Sequence, residues 1–388
     1  MNFDRVDAAL QAEVDGRRFA GFNYAVIHRG EVVARRCVGF ADLERREPMR
    51  LDHLFRIFSC TKLVTSCAAL QLWEQGRFGF DDPIGQYIPA LANLQVLAAP
   101  DAPLDTARPA KEPVRIRHLL THTAGLTYGF LAPETPIARA YVEAKTGSPA
   151  TTLAQQMDAL GTLPLLFEPG SAWNYSVATD VVDRLVEVLS GLPLDAYFER
   201  HIFGPLGMRE TFFHVPQDQQ HRLATHYVGD VNDPGKPGLA NAEHLPYEGA
   251  FRRPAPRLNP GGGLVSSLGD YTRLVQALAT GGAPLLKPPT MACVTQSQIP
   301  SDMRMGFPGQ PMLEGRGHSF AASVFRERTS QDPAAEPGEV QWSGMSATRW
   351  MFSPRDGFGL VLMTQRYLGS GLPYWPAFKQ AVRQVIPA

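Results

Sequence analysis

Leu54-Phe55-Arg56-Ile57-Phe58-Ser59-Cys60-Thr61-Lys62-Leu63-Val64 is the stretch on which the reading of this chain turns. Leu54 to Phe58 read as a short buried approach, and Leu63, Val64, Cys67, Ala68, Leu70 and Leu72 as an apolar helix stopped at Gly76. Ser59 and Lys62 fall three apart, so a hydroxyl in the first turn has an amine one turn later on the same face. Serine alone is a poor nucleophile, and a lysine beside it in an apolar pocket can lose its proton and act as base. A chain of this length contains roughly one Ser-x-x-Lys by chance. The same segment also fits an ordinary core helix with Ser59 as its N-cap.

Composition narrows the class. The chain has 388 residues, 44% hydrophobic and 19% charged, values of a globular protein long enough for two domains. A net charge of -1 without a basic block gives no footprint for nucleic acid or an anionic membrane surface. No apolar run reaches the ~18 residues of a membrane span. The polar start Met1-Asn2-Phe3-Asp4-Arg5, followed by Val6, Leu10 and Val14, predicts an amphipathic helix and not a signal peptide, so a cytoplasmic location is expected. Cys37, Cys60, Cys67 and Cys293 include no Cys-x-x-Cys, and all four are read as reduced thiols.

Phe22 to His28 and Glu31 to Val38 flank Arg29-Gly30 as a hairpin. Residues 81 to 118 are loop-rich, 151 to 213 mostly helical with a break at Glu168-Pro169-Gly170, and 229 to 263 a long Pro- and Gly-rich excursion. His318 to Phe325 reads as one strand, Thr348 to Ser353 and Phe358 to Thr364 as a second hairpin, and Tyr374 to Val385 as a final helix. Strands at both ends can join one sheet. The expected fold is α+β: an antiparallel sheet flanked by helices (residues 1–80 and 255–388) with an inserted, mainly helical domain (81–254), and a ligand cleft between them.

Two further segments bear on the cleft. Trp173-Asn174-Tyr175-Ser176-Val177 precedes a helix at about Thr179 to Leu189, and a phenol on that loop can shuttle a proton between Ser59 and a leaving group. Packing in the core is the other use of Tyr175. Gln341-Trp342-Ser343-Gly344-Met345 precedes the second hairpin and can aim backbone N–H groups at a substrate oxygen, or be a plain turn. No Gly-x-Ser-x-Gly, His-Glu-x-x-His, zinc spacing or Walker loop occurs, and neither metal nor cofactor is expected. His221 and His226 read as polar loop residues, and Gly261 to Gly263 as a backbone-dense cleft wall.

In this order, Ser59-x-x-Lys62, Tyr175 and Trp342-Ser343-Gly344 resemble the serine β-lactamase and penicillin-binding-protein superfamily, and more closely its family VIII carboxylesterases. The resemblance runs over nearly the whole chain, through Leu119-Leu120-Thr121-His122-Thr123-Ala124-Gly125-Leu126, Phe167-Glu168-Pro169-Gly170-Ser171, Pro205-Leu206-Gly207-Met208 and Gly261 to Ser267. It implies Ser59 as acylated nucleophile, Lys62 and Tyr175 as coupled proton-transfer groups, and the amides of Ser59 and Met345 as oxyanion hole. It implies a pocket lined by Trp342, Ser343, Gly344 and Tyr128, with His122 supporting the cleft wall. β-Lactam-directed relatives usually carry Lys or His where Trp342 stands, and Asn where Val177 stands. Both departures favour a neutral ester. The resemblance thus implies a serine carboxylesterase acting on short-chain small-molecule esters, with weak β-lactam turnover as a side activity. An acyltransferase or D-amino-acid amidase of the same fold, and a non-catalytic scaffold, are the alternatives.

Overall fold

The computed structural model describes residues 1–259 and 261–386. Pro260, inside the expected excursion, and Pro387 and Ala388 lie outside them. The main helices in chain order are α1 (Asp4–Asp15), α2 (Thr61–Glu74), α3 (Ile116–Leu120), α4 (Pro136–Glu143), α5 (Leu153–Gly161), α6 (Ala178–Ser190), α7 (Leu268–Ala279) and α8 (Tyr374–Val385). The strands that matter are β1 (Gly21–His28), β2 (Glu31–Asp42), β3 (Glu47–Pro48), β4 (Leu54–Arg56), β5 (Val265–Ser267), β6 (Arg316–His318), β7 (Ser323–Phe325), β8 (Val340–Ser343), β9 (Arg349–Ser353) and β10 (Phe358–Thr364).

One antiparallel sheet of eight strands runs in the order β6-β7-β8-β9-β10-β1-β2-β3. The two chain ends meet at its centre, where Phe22 pairs with Thr364 and Ile27 with Gly359. β1 and β2 turn through Arg29 and Gly30, both at positive φ (53° and 80°), the twist a two-residue hairpin needs. The middle strands are buried on both faces, so alternate residues feed different cores. Tyr24, Val26, Leu360 and Leu362 pack with Val6, Leu10 and Val14 of α1 and with Tyr374 and Phe378 of α8. Ala25, Ile27, Val361 and Met363 face the other way, toward Leu274 and Val275 of α7 and the larger core around α2.

α8 is also fixed by charge. The fully buried Lys379 reaches Glu339 at 2.6 Å and Asp332 at 3.3 Å, and Arg383 meets Glu339. α2 is buried on nearly every side, which explains its continuous apolar sequence, and Gly76 follows it at φ 69°. Burial pushes the Cys60 and Cys67 thiols up to about 12, so both are inert packing groups. No helix among the described residues is long and apolar enough to cross a membrane.

One expectation is corrected. His318 to Phe325 is not one strand but the hairpin β6–β7: Ser319 Oγ accepts from the amides of Ala321 and Ala322 and closes a tight turn. His226 does lie in a loop, but a buried one. It is fully buried, stacked at 5.7 Å on Phe58, with Nε2 2.9 Å from Ser346 Oγ.

Candidate active site

Ser59 sits in a single 3₁₀ turn, Phe58–Cys60, that leads into α2. Its approach is pinned from both sides. β4 pairs with β5, the Ile57 amide donates to Leu264 O (3.0 Å), and Thr61 Oγ1 accepts from the Leu264 amide (3.2 Å). These ties hold Phe58 at φ 41°, a left-handed conformation costing a non-glycine residue about 1–3 kcal/mol. Its ring is clamped among Phe251, His226 and Tyr367. The cost is thus met by packing, and it turns Ser59 out at the start of the helix. Arg56, on the same approach, is fully buried and held by Glu243 and Ala224 O.

Lys62 and Tyr175 converge on this serine. Lys62 is buried, with Nζ 3.4 Å from Ser59 Oγ and 2.5 Å from Gly261 O. The Tyr175 hydroxyl donates to Ser59 Oγ at 2.9 Å. Its loop is held by Asn174, whose Nδ2 donates to Leu126 O and whose amide donates to His122 O. Lys62 Nζ also lies over the rings of Tyr175 (4.9 Å) and Tyr128 (5.6 Å). Gly261 has to be a glycine here: a Cβ would stand 2.8 Å from Asp180 Oδ1 and 3.2 Å from both Lys62 Nζ and the Tyr128 hydroxyl.

β8 carries Trp342 and Ser343, and the turn Gly344–Ala347 that follows it puts Met345 against the apolar cluster around Phe58, the neighbour of Ser59. Gly344 N donates to Thr348 O and Ala347 N to Gly344 O, which leaves Met345 at the first corner of the turn. Among the described residues, neither the Met345 amide nor that of Ser59 has an acceptor. A Cβ on Gly344 would come within 3.0 Å of Ile57 O and Thr348 Oγ1, so only glycine lets the turn lie this close to the segment leading into Ser59.

The walls are aromatic. Tyr175 has Tyr128 at 5.4 Å, Trp342 at 5.4 Å, Phe307 at 5.5 Å and His122 at 4.9 Å. His318 stands 5.7 Å from Trp342 and 5.4 Å from His122. Burial lowers His318 to about 4 and, with repulsion from His318 and Lys62, puts His122 well below its usual value, so both rings are neutral at physiological pH. Burial, then Tyr175 and Asp180, push the Tyr128 phenol well up. Behind Lys62 a cavity of about 10 Å³, edged by His122, Thr179, His318 and Trp342, is the size of one water.

Of the sequence-predicted site residues, Ser59, Lys62, Tyr175, Tyr128 and Trp342 are brought together by these contacts, Ser343 and Gly344 follow Trp342 along the chain, and Met345 packs in the cluster around Phe58. Sequence reasoning missed Phe307 and His318 and gave Gly261 no partner. Phe307 lies in a run rich in Pro, Gly and Met (300–315) whose only signal is its irregularity.

The Beta-lactamase family model matches residues 6–379. The chain belongs to that family and is a serine hydrolase of its fold. Protein Rv1367c of Mycobacterium tuberculosis is 33% identical over 374 residues, covering 94% of this chain and 90% of that protein. Esterase EstB of Burkholderia gladioli is 29% identical over 389 residues, covering 97% and 94%. Among solved structures, "EstCE1, a hydrolase with promiscuous acyltransferase activity" superposes with a TM-score of 0.83 at 28% identity, covering 98% of this chain and 97% of that one.

Proposed function

We propose that this chain is a serine carboxylesterase of the family VIII kind, acting through an acyl-enzyme on Ser59. The observation that supports this is the convergence on one hydroxyl: Tyr175 at 2.9 Å and Lys62 Nζ at 3.4 Å. In this reading the Lys62–Tyr175 pair takes the Ser59 proton as Oγ attacks the ester carbonyl. The oxyanion forms against the amides of Ser59 and Met345. Collapse breaks the bond to the alcohol oxygen, which leaves with a proton from Tyr175. Water then attacks the acyl-serine and gives its proton to the same pair; the acyl–Oγ bond breaks, Ser59 Oγ takes that proton back, and the acid leaves. Tyr128, Trp342, Ser343 and Gly344 line the ester pocket, which opens between a sheet part (1–80, 255–388) and a helical insert (81–254). The neutral Trp342 supports an uncharged substrate over a β-lactam carboxylate, leaving β-lactam turnover weak.

Transfer of the acyl group to an alcohol instead of water is the second reading. It is favoured by the acyltransferase activity named for EstCE1, a relative that spans nearly the whole chain. The test is hydrolysis of p-nitrophenyl acetate and butyrate by wild type and Ser59→Ala, with mass spectrometry for the acyl adduct. The expected result is turnover and an adduct in wild type and neither above background in the variant. Equal activity in both overturns the assignment of Ser59.

A further inference from the structure

Residues 301–315 carry neither helix nor strand, yet they cover one side of the site. They fold back on themselves as a tongue. Leu313 N donates to Met305 O at 2.9 Å, and Gln310 N donates to Phe307 O around Pro308 and Gly309, the latter at φ 70°. Arg326 anchors the root through the carbonyls of Ile299, Pro300 and Ser301. The tip is held differently. Phe307 stands edge-on to Trp173 (5.7 Å, 90°) and to Tyr175 (5.5 Å, 71°), and among the described residues no hydrogen bond runs from 304–311 to the wall they cover. The tongue brings Met303, Met305, Phe307 and Leu313 into one apolar cluster with Trp173, Tyr175 and Trp342. Methionine-rich surface of this kind adapts to the shape placed against it. In the same cluster the buried indole N–H of Trp173 has no acceptor among the described residues, an unmet donor that favours opening of the contact.

The position of Phe307 also says which half of a substrate it meets. Tyr175 is the group that hands a proton to the departing alcohol in the reaction proposed above, so the alcohol lies on the Tyr175 side of Ser59. Phe307 is one of four rings against Tyr175, with His122, Tyr128 and Trp342, and it is the one carried by the tongue. Resting on that reading, we propose that Phe307 is a specificity-determining residue for the alcohol half of the ester: a displaceable aromatic cover that selects bulky apolar alcohols, aryl or arylalkyl, over small ones.

The test measures kcat/KM by pH-stat for ethyl acetate, benzyl acetate and benzyl butyrate with wild type, Phe307→Ala and Phe307→Leu. Wild type is expected to prefer benzyl to ethyl acetate. Loss of an aromatic contact lowers that benzyl-to-ethyl ratio about tenfold in Phe307→Ala, with Phe307→Leu intermediate. The benzyl butyrate-to-acetate ratio, which reports the acyl half, stays where it was. The inference falls, and the esterase reading stands, if wild type turns over these esters while Phe307→Ala leaves the alcohol ratio unchanged or shifts the acyl ratio instead. A wild type that hydrolyses none of the three overturns the esterase reading and this inference with it. Thermal melting of both variants separates either result from misfolding, since Phe307→Leu keeps most of the apolar volume.

Discussion

Gly344→Ala tests the proposed oxyanion hole of Ser59 and Met345 without touching a side chain of the proposed reaction. The added methyl comes within 3.0 Å of Ile57 O and of Thr348 Oγ1, closer than side-chain carbons are found. Thr348 can rotate its hydroxyl away. Ile57 cannot yield, because its amide is bonded to Leu264 O and its carbonyl accepts from the Cys60 amide. The turn must therefore move, by about 1 Å to reach ordinary contact, and Met345 moves with it. A donor at roughly 2.9 Å from an oxyanion that retreats by about 1 Å no longer makes a hydrogen bond. Removing one such donor costs about 10²–10³ in kcat. The charge it meets exists only in the transition state, so KM should change little. Stopped-flow acylation by p-nitrophenyl acetate reads the effect directly, with Tm as the check on folding. A folded Gly344→Ala that acylates within about threefold of wild type refutes the role given to Met345.

Two further outcomes follow from buried charge. Glu243→Gln strands the fully buried Arg56, which Glu243 meets at 2.8 Å. With Glu243 itself 28% exposed, the loss should be about 2–3 kcal/mol, below the 3–5 of a fully buried pair, read as a lower urea midpoint. Equal midpoints would show that Ala224 O and Gln365 satisfy Arg56 alone. His318 is held neutral down to about 4, whereas the unfolded chain protonates it below about 6.5, so its contribution is present above 6.5 and is lost as pH falls toward 4. That loss approaches about 3 kcal/mol. His318→Gln should lack it, so its stability declines less than that of wild type between pH 6.5 and 4 in urea titrations. Parallel pH profiles would refute the buried neutral state.

What the sequence revealed was local. Val6, Leu10 and Val14 place α1 by their spacing, Arg29-Gly30 sets the first hairpin, and Ser59 and Lys62 share a helical turn because three residues separate them. The rest depends on partners far along the chain. Nothing in Phe58 announces a left-handed backbone, which is imposed by Leu264 and by rings from Phe251 and Tyr367. His226 precedes the Pro- and Gly-rich excursion and Glu243 lies within it, yet both support the approach to Ser59, which their polarity alone does not announce. The β6–β7 hairpin was hidden because Ser319-Phe320-Ala321-Ala322 holds no Gly, Pro, Asn or Asp, and its turn depends on one serine hydroxyl.

The neutrality of the wall has a consequence for turnover. Trp342 is neutral, its neighbour His318 stays uncharged to about 4, and burial holds His122 well below its usual value. The nearby Lys62 Nζ is committed to Gly261 O and Ser59 Oγ. An ester entering such a pocket loses little hydration. On that wall a carboxylate left after hydrolysis meets only indole and imidazole rings, which is unfavourable, and the group beside Ser59 that can meet it is Lys62. Under the proposed reaction the same surface therefore holds the neutral substrate and rejects its anionic product. A cation in place of Trp342 would do the reverse, retaining the acid and slowing its release.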